Sequence, residues 1–210
     1  MRRDMRFHSL FLLVALGARV LEAQNRTDLP ARLEPASRAA IVRLADSLAA
    51  ERLPTAPVYD KAQEGALKGA DDRRIVAAVR ALAQRLREAR ALLGQSATDA
   101  ELSAGASALY AGVDAARIRA VVDVRNERAS GRALEVSLVV LANLVADGVP
   151  ASIAAESLTA LLASGAGDED LGAFRRSVAR DIEGGSSPVE AASALTRRTL
   201  LTIEARPRQP

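Results

Sequence analysis

The chain has 210 residues, 49% hydrophobic but only 2% aromatic, with a formal net charge of +3, no cysteine and a single histidine, His8. That composition excludes disulfides, cysteine nucleophiles and zinc or haem sites built on several His or Cys ligands. It also leaves too few aromatic rings for a base-stacking platform or a sugar-binding cleft.

Residues 1–23 read as a cleavable secretory leader. Arg2, Arg3 and Arg6 make a positive start, Leu10 to Ala18 an apolar stretch, and Leu21-Glu22-Ala23 a small-residue cleavage site ahead of Gln24. The apolar stretch is far short of the ~20 residues that span a bilayer, so export followed by release is expected, with no stable membrane anchor after cleavage and a periplasmic or extracellular destination. Removing the leader takes away four arginines (Arg2, Arg3, Arg6, Arg19) and two acids (Asp4, Glu22), which leaves the exported part close to neutral. His8 leaves with it, and with His8 any Ser-His-Asp triad. A nearly balanced chain has no strong field for polyanions, so no nucleic-acid partner is expected. Lys61 and Lys68 are the only lysines among 29 basic residues, the arginine-heavy usage of a GC-rich bacterial coding sequence.

Residues 24–34 (QNRTDLPARLE) are polar and unpatterned and are expected to form a flexible linker; residues 204–210, with two prolines, are expected to form a disordered tail. Between them, at 35–203, apolar residues recur at intervals of three and four, which predicts an all-α domain of about nine helices in antiparallel hairpins, as a compact bundle or a short α-solenoid. The expected helices are 36–52, 58–68, 72–93, 99–111, 115–128, 133–147, 150–164, 168–183 and 188–203. The Arg52–Pro57 stretch, with prolines at 54 and 57, predicts a break that lets the first helix pack separately. In the third helix Ile75, Val79, Leu82, Leu86, Ala89 and Leu93 form the apolar stripe, with Arg80, Arg87 and Arg90 off it.

Helix ends are marked by glycine followed by a capping residue or proline: Gly69-Ala70-Asp71, Gly112-Val113-Asp114, Gly148-Val149-Pro150, Gly165-Ala166-Gly167-Asp168 and Gly185-Ser186-Ser187-Pro188. Glycine suits the left-handed position after a helix, Asp or Ser accepts from the free amides of the next, and Pro needs no donor at its first turn. Thr98…Glu101 and Ser187…Glu190 have the capping-box spacing. KGADDRRIVAAV and AGVDAARIRAVV align around Gly69 and Gly112, and Gly148 and Gly185 follow at roughly 40-residue intervals, the length of a two-helix repeat.

Tyr59, Lys61, Glu64 and Lys68 form the densest chemical cluster and are the candidate ligand or interface residues. Asp60, Lys61, Glu64 and Lys68 share one helix face, and Glu64 to Lys68 is the favourable orientation for a surface ion pair. Asp168, Glu169 and Asp170 lack the alternating loop of a calcium site and read as first-turn acids that complement the helix dipole, as do Asp71 and Asp72. The arginine pairs at 73–74, 175–176 and 197–198 lie on different helices with acids between them and read as solvated faces. Ala108, Gly112, Val113, Ile118 and Val121, with Arg117 and Arg119 on the following helix, resemble the helix-turn-helix DNA-binding superfamily over about 20 residues. The resemblance implies a DNA-binding role, which an exported protein has no operator to meet. No catalytic, cofactor or metal residue is assigned. The function expected is a non-catalytic binding or structural module for a protein partner, the alternative being a helical carrier of an apolar small molecule or lipid.

Overall fold

The computed structural model describes residues 29–128 and 134–206; the expected leader, residues 24–28 and the last four residues lie outside them. Among the described residues are nine α-helices and no strand: α1 (Pro35–Ala50), α2 (Ala56–Leu67), α3 (Asp72–Leu93), α4 (Asp99–Tyr110), α5 (Ala115–Arg128), α6 (Glu135–Ala146), α7 (Ala151–Ala163), α8 (Asp168–Glu183) and α9 (Pro188–Glu204). Every end falls within two residues of the sequence expectation.

The precision comes from the turns. At Gly69, Gly112, Gly148, Gly165 and Gly185 the backbone has φ between 71° and 99°. Each closes a Schellman pair: Val113 N donates to Ala108 O at 3.0 Å and Gly112 N to Leu109 O at 3.1 Å, and the same pattern recurs at Val149 and Ala166. Val113, Val149 and Ala166 then drop into the core, so each turn also anchors apolar weight. Asp71 and Asp114 accept from the amides of Arg74 and Arg117, and Thr98 and Glu101 complete a reciprocal capping box. At Ser187 only the forward half forms, from Glu190 N to Ser187 Oγ at 3.3 Å, while the Glu190 carboxylate takes the Ser187 hydroxyl instead of its amide.

The helices stack in two rows. One runs α1, α3, α5, α7, α9, each packed on the next; the other runs α4, α6, α8; and the hairpin pairs α2–α3, α3–α4, α6–α7 and α8–α9 join them. This next-but-one packing makes a compact all-α bundle of antiparallel hairpins. Two apolar clusters result, one from Leu29 to α4 and one from α4 to α9. Helix α4 feeds both, Leu102 and Ala106 into the first and Ala104 and Ala108 into the second. A helix pressed from two sides needs small residues all round, and Leu102, Ala104, Gly105, Ala106 and Ala108 are all buried.

Four sequence expectations are corrected. Residues 29–34 are not a free linker: Leu29 and Leu33 are buried in the first cluster, Arg32 Nη2 donates to Ala70 O at 2.7 Å, and Glu34 N donates to Asp72 Oδ2 at 2.8 Å. Asp72 therefore ties the start of α1 to the start of α3. Helix α1 does not pack apart. Arg52 turns the chain with φ 56°, Leu53 and Pro54 are buried, and Arg87 clamps Glu51 with two bonds of 2.7 Å. In α3 the core position expected of Leu82 is taken by Ala83, and Leu82 faces a groove. Nor is the described part of the expected tail free, since Arg206 grips Asp170 with bonds of 2.9 and 2.5 Å.

Candidate functional site

An open groove of about 710 Å³ is bounded by α2, α3 and α4. Its floor is small and apolar: Ala78, Ala81 and Leu82 from α3 and Ala106 from α4. Alanines on facing helices leave the space that larger side chains would fill. The rim carries the charge, with Asp60, Lys61 and Glu64 on α2 and Arg85 on α3.

Tyr110, at the last turn of α4, stands at the edge with its side chain 69% exposed. Lys61 Nζ lies 5.7 Å and Arg85 Cζ 5.1 Å from the centre of its ring, both within cation–π range. Two cations from two helices thus stand against an exposed aromatic beside an apolar floor.

Of the residues singled out from sequence, Lys61 and Glu64 line this groove and bond to one another at 2.8 Å. Lys68 also pairs with Glu64 but lies just past the end of α2, 71% exposed and off the groove. Tyr59 turns the other way and packs on the first apolar cluster. The Lys61 ammonium, followed by that of Lys68, holds the Glu64 carboxyl down at about 2, and the carboxylate in turn raises Lys68. A carboxyl held so low stays charged near neutrality. Both partners remain partly open to water, where such pairs add little stability.

Arg85 and Tyr110 were not visible as site residues in the sequence. Arg85 sits in an arginine run like several others, but Tyr110 did carry a signal: it is one of two tyrosines in the chain and falls on the polar side of a helix end.

The residues of the helix-turn-helix resemblance are in place, with Ala108, Val113, Ile118 and Val121 all buried at the α4–α5 corner. Helix α5, however, is laid against α3 and α7 in its row and does not project. Arg117 pairs with Asp114 and lines a shallow hollow toward α7, while Arg119 is exposed.

The three acids at the start of α8 are used within the fold. Asp168 pairs with Arg125 of α5, and Asp170 accepts from Gly167 N at 2.9 Å as well as from Arg206. Among the described residues no group of three or more His, Cys, Asp or Glu is placed to hold a metal ion, and no helix is long and apolar enough to cross a membrane.

No known protein family, curated protein or solved structure matches the chain.

Proposed function

We propose that this chain is an exported, non-catalytic binding module that takes a segment of a protein partner into the α2–α3–α4 groove. The observation that supports the reading is the pairing of an alanine-lined floor with an exposed tyrosine flanked by two cations. Interface hot spots are rich in tyrosine and arginine around an apolar centre. A rim holding Asp60 and Glu64 beside Lys61 and Arg85 selects a partner of mixed charge by complementarity and discourages a single-sign polymer.

A photo-crosslinking residue in place of Ser107, inside the groove, tests this against the same residue in place of Arg119 on α5. Capture of one defined protein from the Ser107 position, abolished by Ala81→Arg in a chain of unchanged thermal midpoint, supports the reading. Equal capture from both positions sinks it, and an apolar small molecule or lipid recovered from the groove replaces it with the carrier. Export is tested separately, by fractionation and N-terminal sequencing. A mature end near Gln24 in the envelope or medium supports it, and an intact Met1 in the cytosol overturns it.

A further inference from the structure

A second hollow, of about 350 Å³, lies between α8 and α9 at the opposite end of the stack. Its α8 wall is the stripe Asp170, Phe174, Ser177, Arg180, and its α9 wall is Leu195, Arg198, Thr199, Thr202 running on to Arg206. The Asp170–Arg206 ion pair fixes the register of these antiparallel helices, so Ser177 faces Thr199 and Arg180 comes level with Arg198 to within about a helical turn.

The charge inside is lopsided. Asp170 is the one acid among the residues that line the hollow, and Arg206 already neutralises it with two bonds. Neither Arg180 nor Arg198 has an acidic partner among the described residues, and both enter the same space. Arg180 and Arg198 are both exposed and line the same hollow, so an anion entering it meets two guanidinium groups. Thr202 Oγ1 is engaged with Arg198 O at 3.0 Å, whereas the Ser177 and Thr199 hydroxyls make no hydrogen bond among the described residues and are free to donate.

We propose that this hollow binds a phosphoryl group, held by Arg180 and Arg198 with Ser177 and Thr199 as hydroxyl donors. The donors come from two facing helices, which lets them approach a tetrahedral oxyanion from more than one direction. Arginine forks match phosphate oxygens two at a time. The volume exceeds what a bare phosphate fills, and Phe174 and Leu195 line the remainder, so the ligand carries an organic part against them. This site is independent of the α2–α3–α4 groove.

The test is titration of the purified full chain with inorganic phosphate, followed by calorimetry and by amide shifts, alongside sedimentation with vesicles of phosphatidylcholine alone or mixed equally with phosphatidylglycerol. Arg180→Gln and Arg198→Gln are each expected to weaken phosphate binding by about tenfold, and Ser177→Ala by less, while Arg119→Gln on α5 leaves it unchanged. Without phosphate, the doubly substituted chain should melt within about 2 °C of the parent, since both side chains are exposed and neither has an ion pair among the described residues to lose. Arginine-dependent capture by the phosphatidylglycerol vesicles assigns a lipid headgroup; phosphate binding without vesicle capture assigns a soluble phosphate ester. Absence of phosphate and vesicle binding, or binding that R180Q and R198Q leave intact, overturns the proposal.

Discussion

Arg125, in the last turns of α5, is only 1% exposed and donates through Nη2 to Asp168 Oδ1 at the first turn of α8, 43 residues further along the chain. The contact ties the two rows together where the described residues break off between α5 and α6. A guanidinium buried this far needs its acceptors, and Asp168 is one of them, so losing it weakens the compensation of a desolvated charge.

Asp168→Ala should therefore destabilise more than Arg125→Met, although the aspartate is the more exposed of the two at 44%. The expected loss for Asp168→Ala is about 1–3 kcal/mol, reduced from the value of a fully buried pair by that exposure. For a chain of this size each kcal/mol moves the thermal midpoint by roughly 2–4 °C. Denaturant melts of both variants check the order, and equal losses would remove the argument.

Two glycines inside helices should respond in opposite directions to alanine. At Gly65 a Cβ would lie 2.8 Å from Cγ1 of the buried Ile75, a side chain with no room to retreat. Gly65→Ala should lower stability by about 1–3 kcal/mol despite the better helix former. At Gly172 the nearest atom is the tip of Arg176, at 3.3 Å, which can swing into solvent. There alanine should stabilise by roughly 0.5–1 kcal/mol. Urea midpoints of the pair read the difference directly.

Leu33 lies before the first helix yet is only 3% exposed. Leu33→Ala should cost about 2–4 kcal/mol, as for a leucine in any packed core. A free linker there would make the substitution silent, so one thermal melt distinguishes the two pictures.

Acid should weaken the fold through carboxylates that the folded state keeps charged. Burial pushes the Glu101 carboxyl up, but the amides of Leu134 and Thr98 that it accepts outweigh this and hold it below 4.5. The Arg206 guanidinium does the same for Asp170, against partial burial, and Arg87 for Glu51. Each folded value lies below the unfolded one, so the stabilisation is complete above the unfolded value and is lost as pH falls through the folded one. Melting temperature should stay level from pH 7 to about 5 and drop below about 4.5. Glu101→Gln should shrink the drop, and Glu64, whose value is about 2, should add a loss that starts at the same pH and runs on to about 2, small in salt because the pair is partly exposed.

The helices were readable one junction at a time. A positive φ after a helix demands glycine and a free amide demands Asp, Ser or Thr, so Gly112, Asp114 and Thr98 announced their roles without reference to anything distant. Leu29 and Leu33 escaped notice because two leucines in a short polar stretch establish no period. The candidate site was half legible: Lys61 and Glu64 are neighbours on one helix, whereas Arg85 and Tyr110 reach them only through the packing of α2, α3 and α4.

What the amino-acid order determined by itself is where each helix starts and stops, and that no thiol or cluster of imidazoles is available for chemistry, because both depend on residue type and spacing within a few positions. Only the tertiary structure decided which arginines meet a distant acid and which line a hollow. Arg125, Arg180, Arg198 and Arg206 are the same side chain, and the packing of the helices sends Arg125 to Asp168 and Arg206 to Asp170, while Arg180 and Arg198 line the α8–α9 hollow. Stacking is set by the summed fit of small and large apolar faces across distant segments, a quantity that no local stretch of sequence contains.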